Sequence, residues 1–410
     1  MDEGIAATLT DPIKGSKEER VKRGRVKKER PLNGDGSDLG RAVSVRLEDG
    51  NFKGAVRLLT SDEVLAKASA KTLKVLQNKH PSTPSDRRPA PTTPTTQPMV
   101  FLEAAVRKAI FSFPPGSSGG MDGLTPQHLK DMVASERSAV GLLGAVTTFM
   151  NALAEGSIPD DMRPYFFGGR LIALNKKDGG IRPIAVGLCF RRLASKLVSA
   201  QATAQLAQTL SPLQVGVGIS GGVEAAVHAT CRFASAMTPS QALIKLDFAN
   251  AFNSVRRDVI LERTAALIPE AYPYIKAAYA DSSFLGYEGE PIMSSEGVQQ
   301  GDPLGPLLFC MAIHPLLTNI KCEFKMGYLD DITLGGELET VAKEVDILSK
   351  EAAHIGLTLR ESKCELVTST SLFSVPQPVK GYRRVPVTEA VMLGAPLIEG
   401  IAMDQIRDKH

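Results

Sequence analysis

Six prolines fall within the 18 residues from Pro81 to Pro98 (PSTPSDRRPAPTTPTTQP). Each removes a backbone donor and fixes φ, so neither a helix nor a central strand can run through the stretch, and the chain is cut into two parts of different character. Ahead of it, residues 1–50 are charged and glycine-rich and read as a disordered basic arm. A short helical segment is expected over 51–80, where Val56, Leu59, Val64, Leu65, Leu73 and Leu76 recur without a clean period. Residues 81–98 then form a Pro/Thr-rich linker. From Met99 onward helical and strand patterns interleave, in a 410-residue chain that is 43% hydrophobic and 23% charged, which is enough for one large folded region.

The net charge of +3 is uneven: residues 14–30 (KGSKEERVKRGRVKKER) hold nine basic and three acidic residues, which leaves the rest of the chain at −3. Such a run attracts phosphate or serves as a nuclear-import address, and it also reads simply as a solvated tail. The longest unbroken apolar stretch, Leu304 to Ile313, falls far short of the roughly 18 residues of a membrane span, so no membrane partner is expected. The opening MDEGIAATLTDP lacks the pattern of a secretory signal, and the five cysteines show no C-x-x-C half-site. The chain therefore reads as intracellular, in nucleus or cytoplasm.

Gly168 to Asn175 (GGRLIALN) reads as a strand, KKDGG as a turn, and IRPIAV as its hairpin partner. Helical spacing follows at Phe190, Leu193, Leu197 and Ala204, and again at Val341, Val345, Leu348, Ala352 and Ile355, where Gly356 supplies a stop. ALIKLDF, residues 242–248, alternates as a strand that ends near Asp247, and ANAFNSVRRDVI behind it reads as a helix with Phe252, Val255 and Val259 on one face, capped by Asn253 or Ser254. MGYLDDITL, residues 326–334, leaves room only for a tight hairpin turn at Asp330 and Asp331, without Asn-Gly or Asp-Gly chemistry. Alone, Asp247 reads as a turn residue and the Asp pair as solvated. Together, adjacent carboxylates in a β pattern that breaks a local rule point to a hard divalent cation.

The joint pattern resembles a reverse transcriptase, specifically the polymerase region of a non-LTR retrotransposon, over roughly Phe111 to Leu397, with the motifs in the family's order. GSSGGMDGLTPQHLK (116–130) is similar to the segment ahead of the fingers. RLIALNKKDGGIRPIAV (170–186) resembles the fingers hairpin, in which Lys176 or Lys177 and Arg182 would contact the incoming triphosphate. LQVGVGISGGVEAA (213–226) resembles the next block, with Gln214 and Gly216 shaping the template path. GVQQGDPLGPLLF (297–309) is the closest match: Gln300 and Gly301 would let backbone approach the nucleotide, and Gln299 stands where many relatives have Arg. GLTLRESKCE (356–365) carries Lys363, matching a lysine proposed to protonate leaving pyrophosphate, with Arg360 in place of the usual Asn. VMLGAPL (391–397) resembles the primer grip, centred on Leu393 and Gly394.

The resemblance implies an α+β right-hand polymerase, with fingers and the start of a palm over 99–240 and the palm, its Y-x-D-D hairpin and primer grip over 241–410. Only 13 residues follow Leu397, too few for a thumb, so the thumb is expected to be largely absent or supplied in trans by another retroelement protein. The implied activity is transfer of deoxynucleotides (dNTP) to a DNA primer on an RNA template, with Asp247, Asp330 and Asp331 holding Mg²⁺, or Mn²⁺. Phe248 and Phe252 would line the nucleotide, the latter excluding a 2′-hydroxyl. The alternative is an inactive retroelement remnant that only binds nucleic acid.

Overall fold

The computed structural model describes residues 65–135, 141–176, 178–369 and 374–407, together with eight helical positions between Gly40 and Leu59. The basic run 14–30 lies outside the described residues, as does Lys177. The chain divides into a unit of residues 1–61, of which only those helical positions are described, and a unit of residues 62–410 that carries everything below. Among the described residues no helix is long and apolar enough to cross a membrane.

The second unit is α+β. Its helices are α1 (Ala70–Asn78), α2 (Glu103–Phe111), α3 (Pro126–Ala134), α4 (Leu142–Ala154), α5 (Cys189–Leu210), α6 (Gly222–Ala236), α7 (Arg257–Leu267), α8 (Tyr272–Tyr279), α9 (Gly305–Asn319), α10 (Leu338–His354) and α11 (Ile401–Arg407). Its strands are β1 (Gly169–Asn175), β2 (Ile181–Gly187), β3 (Gln241–Leu246), β4 (Ser283–Tyr287), β5 (Glu290–Ser294), β6 (Phe324–Tyr328), β7 (Asp331–Glu337), β8 (Glu365–Thr368), β9 (Arg383–Pro386), β10 (Val391–Met392) and β11 (Ala395–Pro396). A five-stranded sheet runs β6-β7-β3-β8-β9, a four-stranded sheet runs β2-β1-β4-β5, and β10 and β11 pair with each other.

In the five-stranded sheet β3 is central and antiparallel to both neighbours. The helix α9 packs in the core, and its sequence explains why: GPLLFCMAIHPLLTN is apolar on every side, so it cannot lie on a wet surface. Each wholly buried Leu307, Leu308, Phe309, Met311 and Ile313 adds about 1.5–3 kcal/mol of transfer free energy. The helix α10 ends where Gly356 takes φ +83, as its spacing predicts.

The four-stranded sheet takes strands from both sides of residue 240, so sheet membership does not follow the boundary drawn there. The β1–β2 hairpin has the expected register, Gly169↔Gly187 to Asn175↔Ile181. The β4–β5 hairpin was not anticipated; Glu288 and Gly289 both adopt positive φ and close it as a two-residue turn, and β4 joins β1 in parallel. A second departure follows Asp247. The expected continuous helix is split into one turn, Ala251–Ser254, and α7, because Val255 is extended. Its carbonyl accepts from Gly297 N at 2.9 Å, and Arg256 N donates to Ile355 O at 2.9 Å. Neither Asn253 nor Ser254 caps a helix: the turn starts from Asn250 at φ +54, and the side chain of Asn253 is directed to Lys79 O.

Residues 81–98 form no helix or strand, yet they are fastened to the body as a strap. Poor in backbone donors, the strap is held mainly through side chains. Arg87 donates to Ala280 O at 2.8 Å, Asp86 pairs with Arg256 at 2.8 Å, and the Arg88 backbone and guanidinium both donate to Asp258. Beyond it Phe101 is buried, its backbone clasped by the Asn151 amide in both directions.

Candidate active site

The site is built where β3 leaves the five-stranded sheet. Antiparallel pairing ends at Leu246↔Ile332, so the next residue on each strand sets Asp247 opposite Asp331. Opposed residues of an antiparallel pair lie roughly 4.5–5.5 Å apart at Cα. In the adjoining hairpin Tyr328 pairs with Asp331, which makes Leu329 and Asp330 a two-residue turn. The register thus brings together three acidic residues that are 83 and 84 positions apart in sequence. Alternation along β3 puts Lys245 on the same face as Asp247.

Leu329 takes φ +56, costly for a γ-branched residue without support. The support is Gln214, wholly buried: its Oε1 accepts from Leu329 N at 2.8 Å and from Gly216 N at 3.1 Å, and its Nε2 donates to Leu329 O at 3.0 Å. A Cβ at Gly216 would stand 2.6 Å from Leu329 N. Gln214 and Gly216 replace the missing Asn-Gly chemistry by clamping the turn from outside. Gln214→Leu fills similar space but strands buried donors, and is expected to lower the unfolding free energy by about 2 kcal/mol in chemical denaturation. A loss indistinguishable from zero would show that the clamp is not needed.

The electrostatics show what the carboxylates lack. Burial, followed by the charge of Asp247, raises the Asp330 carboxyl, with Lys176 and Arg182 opposing. Asp331 reaches solvent, but it sits in a recess dense in protein atoms. Desolvation first, then Asp330, and more weakly Asp247, push it up to about 6 against the pull of Lys245. Among the described residues no three His, Cys, Asp or Glu side chains already cage an ion by themselves. Adjacent oxygen donors that repel one another in a partly desolvated recess fit a hard cation of the Mg²⁺ type, which keeps waters and recruits substrate phosphates rather than needing an all-protein cage.

The remaining expected residues surround these carboxylates unevenly. Lys176 and Arg182 flank the β1–β2 turn, near enough to act on Asp330. Lys363 is ion-paired with Asp178 of the same turn. Phe252 stacks on Phe309, centroids 4.6 Å apart at 21°, leaving it half-buried with one face supported. Phe248, by contrast, is only 5% exposed and belongs to the core, so its ring is not available to a nucleotide.

The loop 297–301 is wedged between both halves of the site. Val298 N donates to Phe252 O at 2.7 Å, and Gln300 O accepts from Ala185 N at 2.7 Å. Gly301, at φ +117, has Ala185 O where a Cβ would be, at 2.4 Å. Gln299 does not face a template. It is buried, donating to Phe167 O and Ser283 Oγ and accepting from Arg191, which also pairs with Asp302. Leu393 and Gly394, both at positive φ, close the β10–β11 hairpin. Lys245 holds that hairpin to the sheet by donating to Val391 O and to Glu365, each at 2.8 Å.

All of these groups from Asn175 onward fall inside one homologous region: the family model described as reverse transcriptase (RNA-dependent DNA polymerase) matches residues 174–397, more than half of the chain. The chain belongs to the reverse transcriptase family. It is 24% identical over 293 residues to the 132 kDa protein of the retrotransposable element SLACS of Trypanosoma brucei gambiense, covering 65% of this chain and 23% of that protein. It is 25% identical over 276 residues to the retrovirus-related Pol polyprotein of a type-2 retrotransposable element of Drosophila melanogaster, covering 60% of this chain and 24% of that protein. The match thus spans about a quarter of the length of either relative. A solved apo telomerase from Candida tropicalis, truncated from its C-terminal domain, aligns over 52% of each chain at 14% identity with a TM-score of 0.40.

Within this reverse transcriptase frame, sequence motifs located the carboxylates but not their supports. Gln214 as turn clamp, Lys245 as tether and Asp178 as partner of Lys363 carry no local signal. Each acts through a contact more than a hundred residues away in sequence.

Proposed function

We propose that this chain is the polymerase region of an RNA-directed DNA polymerase derived from a retrotransposable element, adding deoxynucleotides to the 3′-hydroxyl of a DNA primer on an RNA template. The observation that carries the reading is the strand register that sets Asp247 beside the Asp330–Asp331 turn, inside a region matching the family. Asp247 and Asp330 would hold Mg²⁺, or Mn²⁺, with Asp331 in support. Divalent ions bound there supply neutralisation of the phosphates and a more acidic primer hydroxyl.

The protein's own residues do the rest. Lys176, Lys177 and Arg182 bind the triphosphate and offset its charge. Phe252, backed by Phe309, presents a rigid ring under the sugar and selects against a 2′-hydroxyl. Gln300 and Gly301 bring backbone up to the nucleotide. Lys363 leaves Asp178 and hands a proton to the leaving pyrophosphate. The Leu393–Gly394 hairpin, tethered by Lys245, steadies the primer end. A thumb or other retroelement protein acts in trans on the duplex.

Primer extension on an oligonucleotide-primed RNA template with Mg²⁺ or Mn²⁺ tests the reading. The parent chain is expected to extend and Asp247→Ala to bind template without extending. Binding with no extension by either protein would instead identify a nucleic-acid-binding remnant. Incorporation of ribonucleotides as readily as deoxynucleotides would overturn the role given to Phe252.

A further inference from the structure

Lys79 is the C-cap of α1, well ahead of the stretch that the family model matches. The helix is packed on the β1–β2 hairpin: Leu76 is wholly buried in one cluster with Leu171, Ala173 and Ala185. The Lys79 carbonyl accepts from Asn250 Nδ2 at 2.8 Å and from Asn253 Nδ2 at 3.0 Å. These two amides bracket Phe252 in the turn that follows Asp247, and Asn253 Oδ1 in turn accepts from Gln300 Nε2 at 3.3 Å. The backbone at residue 79 is therefore fixed to the same turn and loop that would receive a nucleotide.

The side chain has no such commitment. Among the described residues the half-buried Lys79 ammonium forms no ion pair. Burial first, then the charges of Lys176, Arg360 and Lys363, hold it below the usual lysine range, and only Asp178 opposes them. Asp178 is itself engaged by Lys363. Four cations around one occupied carboxylate repel one another unless an anion joins them. None of the three catalytic carboxylates is among the charges acting on Lys79, whereas Lys176 acts on both Lys79 and Asp330. Lys79 thus shares Lys176 as a neighbour with Asp330, on a helix end fixed both to the β1–β2 hairpin and to the turn behind Asp247. A triphosphate bound between Asp330 and that hairpin would bring its outer phosphates to this cluster of cations.

We propose that Lys79 is a further phosphate-binding residue of the nucleotide site, supplied from ahead of the stretch that the family model matches and contacting the outer phosphates of the incoming triphosphate. This rests on the polymerase reading above. A backbone phosphate of template or primer has the same chemistry, and the test separates the two sources. The full chain, Lys79→Ala and Lys79→Arg are titrated at equilibrium with a non-hydrolysable deoxynucleoside triphosphate analogue and Mg²⁺, and separately with template–primer. Steady-state extension is measured in parallel.

Lys79→Ala is expected to weaken analogue binding and raise KM for the nucleotide roughly tenfold. kcat, template–primer affinity and melting temperature stay unchanged, because the carbonyl rather than the side chain makes the structural bonds. Lys79→Arg restores most of the binding. Unchanged analogue affinity in Lys79→Ala, or a loss confined to template–primer, overturns the assignment, as does a lowered melting temperature shared by both variants. Normal extension by the parent with unchanged KM in Lys79→Ala sinks this inference alone. Lys79-dependent analogue binding without extension by any of the proteins sinks the polymerase reading alone.

Discussion

Asp330→Asn is expected to reduce primer extension on the order of a thousandfold or more, since the proposed metal-binding set loses one ligand, while leaving the fold as stable as before or more so. The two effects have one origin. The Asp330 carboxyl is raised in the folded state by burial and by Asp247, so its charged form opposes folding at neutral pH. The stability of the parent should therefore increase as the pH falls through that raised value. The amide carries no charge and removes that cost at every pH, so the variant should show a smaller acid-side gain, the part that comes from Asp331, whose carboxyl is pushed up to about 6 in the parent. Thermal unfolding of both proteins from pH 7 down to pH 5, alongside extension assays, checks the prediction. Retention of extension within tenfold of the parent would remove Asp330 from the metal-binding set.

Asp258→Ala, outside the active site, is expected to destabilise the fold by about 3 kcal/mol. Its carboxylate is 1% exposed and takes hydrogen bonds from Arg256 at 2.7 Å and from the backbone and side chain of Arg88 at 3.0 and 3.3 Å. Burial alone would push the carboxyl up, but the bonds from Arg256 and Arg88 outweigh it and hold the group well below the usual range. A depressed folded-state value means the contribution is complete above the unfolded value near 4 and is lost as the pH falls through the folded one. The gap between parent and variant in chemical denaturation should therefore be widest at neutral pH and shrink below about pH 4. Trypsin should also cut faster after Arg87 in the variant, because the strap loses its anchor; the Arg88–Pro89 bond resists trypsin in either protein. An equal gap at pH 7 and pH 3 would place the effect in packing rather than in the ion pairs.

The sequence was most legible where chemistry is local. Strand alternation in ALIKLDF and the short span of MGYLDDITL were enough to place Asp247 and the Asp330–Asp331 turn, because period-two patterning leaves few registers for a short strand. The β1–β2 hairpin and α10 followed from turn glycines and helical spacing in the same way. What stayed hidden depends on distant partners. Val255 is extended because the 297 loop takes its carbonyl and Ile355 takes the N–H of Arg256, and nothing within ANAFNSVRRDVI announces that. Phe248 looks like a site residue by position, but its side chain belongs to the core. Gln299 stands where many relatives have Arg, and nothing in the residues around it announces the buried Arg191 to which it is bonded.

The strap and the elements on either side of it give the chain two different edges. The family-model match begins at residue 174, but the packed body begins near Leu65, where Ala66 N is bonded to Ala173 O. A fragment trimmed to the homologous stretch would uncover the face of the β1–β2 hairpin now shielded by Leu76, and the flank of α5 on which α2 and α4 rest. Swapping the family-matched stretch into another retroelement protein therefore means carrying the hundred or so preceding residues along with it, as part of the same cooperative block.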